Sequence, residues 1–259
     1  MILLFRKYLI ISLIIAFLSG CKSADHTISS YGAVIRGDTT VKEIALVFTG
    51  DEFGDGTNFI ADALKDNNIK GSFFLTGNFY RNKDFTPALR TLIKNGNYLG
   101  SHSDRHLLYC DWIKRDSLLV TREEFVRDIR NSYEELIKFG ISTGDARFFL
   151  PPYEWYNDSI SAWSRQMGLV LVNFTPGTGS NADYTYPEMG DRYMDSRAIY
   201  DSVLGFEKKS SNGLNGFFLL IHIGTDPRRT DKFYSYLPAL IRELKARGYK
   251  FIKIDEMLN

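Results

Sequence analysis

The sequence predicts an α/β fold built on a parallel sheet. Three observations carry that reading. From about residue 41 onward, seven short apolar runs alternate with helical patterns. Parallel neighbours need helical crossovers, so the alternation implies a mostly parallel sheet. The unusual polar residues fall just after the ends of those runs, on the rim where barrels and open α/β sheets keep their sites. No Gly-x-Gly-x-x-Gly follows the first run, so a dinucleotide fold lacks its fingerprint. A closed or nearly closed barrel and an open doubly wound sheet both satisfy this pattern.

Each element has a local cause. Residues 44–48 are a short apolar strand. A helix at 57–66 has Phe59, Ile60, Ala63 and Leu64 as its expected buried face. Residues 72–76 are the second strand. Thr86-Pro87 opens a helix, with a hydroxyl cap and then Pro at the first helical position. Residues 97–101 are a brief third strand. Thr121-Arg122-Glu123-Glu124 is a capping box, and Phe125, Ile129, Tyr133, Leu136 and Ile137 give the helix after it one apolar face. Strands at 147–150 and 169–174 flank a helix at 158–167, which stops at Gly168. A loop at 175–192 breaks the rhythm. Thr175-Pro176-Gly177-Thr178-Gly179-Ser180 within it lacks the Gly-Lys-Ser/Thr ending of a phosphate loop and reads as a turn. A helix near 196–208, a strand at 217–222, a helix at 230–247 with Pro238 as a kink, and a strand at 250–254 complete the pattern.

Composition narrows the function classes. The chain has 259 residues, 44% hydrophobic and 24% charged, enough for one α/β domain with a sizeable core. The formal net charge is +1 and there is no long basic run, which argues against nucleic acid as the main partner. Residues 1–20 read as a secretory signal: Arg6 and Lys7, then an apolar stretch over 8–18, then small residues. The stretch is too short for a comfortable membrane span. Leu18-Ser19-Gly20-Cys21 resembles a bacterial lipobox, which implies cleavage before Cys21 and a lipid on its sulfur. The expected organisation is therefore a lipoprotein signal at 1–20, a polar tether at 21–40 and a folded domain at 41–259. A membrane-anchored place in a bacterial cell envelope, periplasmic or surface-exposed, follows. Cys110 is then the only thiol of the mature domain, so a metal site must rest on His and carboxylates.

The chemistry centres on 100–107, Gly-Ser-His-Ser-Asp-Arg-His-Leu. The chain has four histidines, and His102 and His106 stand four residues apart here. From a helical turn or tight loop, two such imidazoles can grip one cation, and neutral imidazole is the commonest ligand for zinc-like metals. The plainer reading is a pair of exposed loop histidines. Asp51 after the first strand, Pro151-Pro152-Tyr153 after the fourth, Asn181 and Asp183 after the fifth and His222 at the end of the sixth fall on the same expected rim. His26 lies in the tether with no assigned role.

From about residue 41 to 259 the chain resembles the polysaccharide deacetylases (carbohydrate esterase family four). Gly100 to Leu107 is similar to that family's His-Ser/Thr-x-x-His motif, 71–77 (Gly-Ser-Phe-Phe-Leu-Thr-Gly) to its second strand, and Leu220-Ile221-His222 to its Leu-x-His motif. The resemblance implies a distorted seven-stranded (β/α) barrel that removes acetyl groups from N- or O-acetylated sugars of a polysaccharide with a divalent metal. Zn²⁺ is the first expectation, with Co²⁺ or Ni²⁺ as alternatives. It implies Asp51, His102 and His106 as metal ligands, His222 as catalytic acid, and the Tyr153 backbone as oxyanion donor. Trp155, Tyr156, Tyr184 and Tyr186 are candidate sugar platforms, with ordinary packing as the plainer role.

Two departures stand out. The family's first motif, Thr-Phe-Asp-Asp-Gly, supplies a base and then a metal ligand. Aligned on Phe48, this chain has Thr49 and Gly50 at those places, and Asp51 is the residue that can slide into the ligand position. In the Arg-x-Pro-Tyr motif, Leu150 stands where the Arg belongs, and strand alternation points Arg147 to the other face. Asp51, Glu52, Asp55 and Glu154 are the candidates for the base. A non-catalytic surface glycan-binding protein is the alternative the missing base motivates. A metal hydrolase of another acyl or amide bond is a third.

Overall fold

Residues 27–259 are described by the computed structural model; the signal at 1–20, the lipid site at Cys21 and His26 lie outside the described residues. Ahead of the seven expected strands come two more, β1 (Ile28–Ser30) and β2 (Ala33–Arg36), paired as an antiparallel hairpin. Tyr31 and Gly32 join them with φ of 44° and 75°. Two left-handed residues in a two-residue loop match the right-handed twist of the flanking strands. The polar tether expected over 21–40 is therefore corrected, because 28–36 is folded sheet. Arg36 is buried there and donates to the carbonyls of Asn215 (2.8 Å) and Gly213 (3.0 Å).

The rest alternates as expected. In chain order come β3 (Glu43–Gly50), α1 (Thr57–Asp66), β4 (Ser72–Leu75), α2 (Gly77–Arg81), α3 (Thr86–Lys94), β5 (Tyr98–Ser101) and α4 (Arg122–Lys138). After them come β6 (Phe148–Phe149), α5 (Asp158–Gln166), β7 (Val170–Leu171), α6 (Ser196–Lys209), β8 (Phe217–His222), α7 (Leu237–Ala246), β9 (Lys250–Phe251) and α8 (Ile254–Met257). The strands lie in the order β1-β2-β8-β3-β4-β5-β6-β7, with β9 beside the start of β3. All pairs among β3 to β9 are parallel. The ring closes beyond β7. Val172 bridges Val34, Asn173 N–H donates to the Val34 carbonyl (3.0 Å), and Thr175 N–H donates to the Phe218 carbonyl (3.1 Å). The result is the distorted (β/α) barrel, with the hairpin strand β2 closing it.

Strand alternation divides the core. Ala45, Val47, Phe74, Phe148, Leu150, Phe218 and Leu220 fill the barrel interior. Ile44, Leu46, Phe48, Phe73, Leu75, Leu219 and Ile221 pack outward beneath the helices. At the lower end Ile254 and Met257 of α8 join the interior cluster, and Ile254 N–H donates to Ser72 Oγ (2.9 Å). The strand expected at 250–254 thus ends at Phe251, because the chain turns there to plug the barrel. At the upper end the same parity carries Thr49, His102 and His222 to the interior side of the rim.

Four local expectations change. Pro238 does not kink a helix; it sits in the first turn of α7, where the missing N–H costs nothing, after a 3-10 turn at Phe233–Tyr236. Thr86 is the first residue of α3 and its side chain does not cap it. Phe59 and Ile137 are exposed rather than buried, Phe59 against the Tyr234 ring. The capping box at Thr121 and Glu124 forms as expected.

Candidate active site

The loop after β5 is pinned from three sides. Ser103 N–H donates to Ser101 Oγ (3.0 Å), which contacts Ser132 Oγ of α4 (2.6 Å). Asp104 is paired with Arg81 of α2 (2.5 Å), and Arg105 N–H donates to Asp128 of α4 (3.2 Å). The loop reverses with Ser103 and His106 in the left-handed region, at φ of 75° and 56°. That turn brings the imidazoles of His102 and His106 together edge to edge, their planes tilted by 52° and their Nε2 atoms 3.2 Å apart. His102 Nδ1 lies 2.8 Å from the Leu150 carbonyl, which fixes the proton on Nδ1 and leaves Nε2 as a lone pair.

The electrostatics keep both rings neutral. Burial pushes the His102 pKa well below the ordinary histidine value, and His106 adds to the shift. Burial also lowers His106, against the pull of the Asp51 carboxylate. Neutral imidazole is the form that ligates a cation.

Across the same cavity stands a second pair. His222 Nδ1 donates to Asp183 Oδ1 (2.6 Å), and the His222 backbone N–H donates to Asp183 Oδ2 (2.8 Å). Burial disfavours the charged ring, but Asp183, with Glu154, outweighs it and holds the His222 pKa above the usual value. His222 is thus held by Asp183 on the cavity wall, with Nε2 free of that bond.

The cavity between these pairs is about 510 Å³ and is lined by Asp51, His102, His106, Tyr153, Glu154, Asn181 and His222, among others. Trp112, Tyr184 and Tyr186 give it aromatic walls. Asp51 Oδ1 accepts from Thr76 Oγ1 (2.7 Å) and Asn78 Nδ2 (3.2 Å), and its Oδ2 lies 3.9 Å from His106 Nδ1. Tyr153 is left-handed at φ 58° and lays its ring on His106, with centroids 4.3 Å apart. Of the expected sugar platforms, Trp155 does not line the cavity. Its indole donates to the Asp111 carbonyl (3.1 Å) and lies between Arg115 and Trp112. Tyr156 is buried and donates to the Ser30 carbonyl (3.1 Å). Tyr184 and Tyr186 keep cavity positions.

Among the four base candidates, Asp55 is occupied elsewhere, accepting from Thr225 N–H (3.0 Å) and Tyr234 OH (2.9 Å). Glu52 also lines the cavity but is exposed to solvent, unlike the more enclosed pair that remains. Asp51 and Glu154 stand inside. The Glu154 side chain is 13% exposed, and burial, with Asp183, pushes its pKa up to about 7 against the opposing effect of His222.

The residues fit a divalent cation in part. Two nitrogens held about 2.0–2.1 Å from one tetrahedral ion lie about 3.3 Å apart, close to the spacing of the two Nε2 atoms. Among the described residues no complete set of three His, Cys, Asp or Glu groups converges. The imidazole pair supplies two ligands and a wall carboxylate must move in to supply a third.

A family model for polysaccharide deacetylase matches residues 36–172. The chain belongs to the polysaccharide deacetylase family. It is similar to the peptidoglycan-N-acetylmuramic acid deacetylase PdaA of Bacillus subtilis, with 24% identity over 240 residues, 92% of this chain and 79% of that one. A chitin deacetylase of Arthroderma benhamiae is 24% identical over 229 residues, 88% of this chain and 55% of that one. Among solved structures, Bacillus subtilis PdaA superposes with a TM-score of 0.67 at 22% identity, over 88% of this chain and 85% of that one. A family 4 carbohydrate esterase pseudoenzyme from Bacillus anthracis superposes with a TM-score of 0.68 at 18% identity, over 89% and 70%. These likenesses carry the fold.

Within this polysaccharide deacetylase domain the two sequence departures have structural forms. Thr49 faces the cavity, and its buried hydroxyl has no hydrogen-bond partner within the described residues. Gly50 edges the cavity with its backbone, but a Cβ there would stand 2.4 Å from Ile223 Cγ2. Leu150 is buried and offers its carbonyl to His102. Arg147 is exposed at the lower end, bonded to Asn259, as the alternation predicted. Asp183 and Trp112 are cavity residues that sequence reasoning left without a role. Asp183 was visible only by its place after a strand. Trp112 sits in a loop that no periodicity marks.

Proposed function

We propose that the protein is a metal-dependent hydrolase that removes acetyl groups from the N- or O-acetylated sugars of a polysaccharide. The observation that carries this reading is one cavity holding a facing imidazole pair and, opposite, a carboxylate-held histidine. His102 and His106 hold the cation together with a wall carboxylate, which the sequence reading places at Asp51. The bound cation supplies a Lewis acid for the acetyl carbonyl and for water. The backbone N–H of Tyr153 supports the oxyanion. A wall carboxylate, Asp51 or Glu154, accepts the proton of the attacking water. His222, kept charged by Asp183, gives its proton to the departing amine or alcohol. Trp112, Tyr184 and Tyr186 offer apolar faces to sugar rings.

Relatives named as acting on peptidoglycan and chitin support an acetylated polysaccharide as substrate. They also support a cell-envelope setting; the lipid anchor on Cys21 is supported by the lipobox-like Leu18-Ser19-Gly20-Cys21 alone. No helix among the described residues is long and apolar enough to cross a membrane. The test is acetate release from acetylated glycans, wild type beside His222→Ala, with a divalent metal supplied. A loss of roughly 10²–10⁴ in kcat in the variant is the expected outcome. Thr49 and Gly50 in place of aspartates favour a second reading, a glycan binder without turnover. Glycan binding with no acetate released under any metal condition would establish that reading instead.

A further inference from the structure

We infer that the Thr49 hydroxyl is a substrate contact: it accepts the N–H of an acetamido group at the floor of the cavity and makes N-acetylated sugars the substrate class. The inference rests on the deacetylase reading for an acetylated sugar in this cavity and deepens it. Its first support is an unpaired buried hydroxyl. Three buried side-chain polar atoms have no hydrogen-bond partner within the described residues: Thr49 Oγ1, Asn173 Oδ1 and Asp255 Oδ1. Of the three residues, Thr49 is the one that lines the cavity, and it is 1% exposed. The ladder around it spends its backbone groups on itself; the Thr49 carbonyl accepts from Ile223 N–H (2.8 Å). A buried hydroxyl costs stability until something pairs with it. Below it on the same face of β3 stand Ala45 and Val47, both in the apolar interior. A valine at 49 would continue that face with the same shape and no orphaned atom, so packing does not call for the hydroxyl.

The second support is the neighbour. Thr49 and His222 are register partners on the adjacent strands β3 and β8. Such strands lie about 4.8 Å apart, and both side chains stand on the interior side. On the other strand the register partner of Thr49 is Phe74, whose ring offers no acceptor. Asp183 takes His222 Nδ1 (2.6 Å), so Nε2 is the nitrogen that meets a ligand. The atom that receives a proton from Nε2 is thereby brought beside the Thr49 hydroxyl. If that atom is an amide nitrogen it carries one hydrogen, which needs an acceptor once buried. The hydroxyl oxygen has the lone pairs to accept it. The bridging oxygen of an acetyl ester carries no hydrogen and gives this acceptor nothing. Thr49 is therefore a specificity-determining residue that reads nitrogen against oxygen at the departing position.

The test is glycan binding, read apart from turnover. The full chain, as wild type, Thr49→Val and Thr49→Ser, is titrated in chelator by calorimetry with two probes, the tetramer of N-acetylglucosamine and an O-acetylated xylose tetramer. Thr49→Val is expected to weaken the N-acetylated tetramer about five- to tenfold, the net worth of one hydrogen bond. Thr49→Ser, which keeps the hydroxyl, is expected to retain it. The ester probe is expected to treat wild type and Thr49→Val alike. Without glycan, Thr49→Val is expected to melt no lower than wild type, because it removes an unpaired hydroxyl and keeps the shape. Equal affinity of wild type and Thr49→Val for the N-acetylated tetramer overturns the assignment, as does an equal loss on both probes or a lower melting temperature. Acetate release with metal supplied is followed separately. Release that Thr49→Val leaves unchanged, with unchanged affinity, overturns the assignment while the deacetylase reading stands. Thr49-dependent binding with no release keeps the assignment and removes the deacetylase reading. A wild type that binds neither probe and releases no acetate overturns both.

Discussion

Asp183 accepts from His222 Nδ1 at 2.6 Å and holds the pKa of that ring above its ordinary value. The Leu-x-His pattern marks His222, but nothing in the sequence near it marks the acid that charges it, which arrives from a loop 39 residues earlier. The pairing makes a prediction. Asp183 holds the His222 pKa above the ordinary value, so the proton donor survives to higher pH and activity falls on the alkaline side of that raised pKa. Asp183→Asn is expected to move this alkaline limb of kcat to lower pH, as a pH–rate profile on both forms reads directly. An unmoved limb would remove His222 from the acid role. The His pair was legible because H-x-x-x-H is a local pattern. Glu154 could be named as a base candidate but not placed, because its direction depends on two left-handed residues that no local rule requires of Tyr153 or Glu154.

At the scale of elements, the seven alternating strands were legible because their apolar runs and the helices between them follow the simple periods. The hairpin of β1 and β2 was not. Its strands are three and four residues long, and its turn is Tyr-Gly rather than the Asn-Gly or Asp-Gly that flags such loops. The correction is testable. A chain beginning at residue 41 loses the strand that joins β8 to the segment after β7, and is expected to melt well below one that retains 27–40; equal melting temperatures would mean the hairpin is an appendage. Gly50 makes a second element-scale prediction. A Cβ at this place in β3 meets Ile223 and Leu75, so Gly50→Ala is expected to cost about 1–3 kcal/mol in denaturant unfolding. By the same clash, an aspartate at 50 would face the helical layer and would not rebuild a ligand.

For the whole molecule, the barrel concentrates buried ionisable groups at one rim, and this links stability to pH. Burial raises the Glu154 pKa from its ordinary 4.5 to about 7. The folded state therefore favours the neutral acid, and this contribution is full below pH 4.5 and lost as pH rises through 7. Without metal, Glu154→Gln is expected to match wild type near pH 4 and to exceed it by about 3 kcal/mol at pH 8, measured by denaturant unfolding. No difference between the two pH values would contradict the burial of this carboxylate. Whether the paired imidazoles hold a cation is read from metal content by elemental mass spectrometry, on wild type beside His102→Ala. Close to one divalent ion per wild-type chain, lost in the variant, is the expected outcome. A wild-type chain that stays empty after metal is added would contradict it.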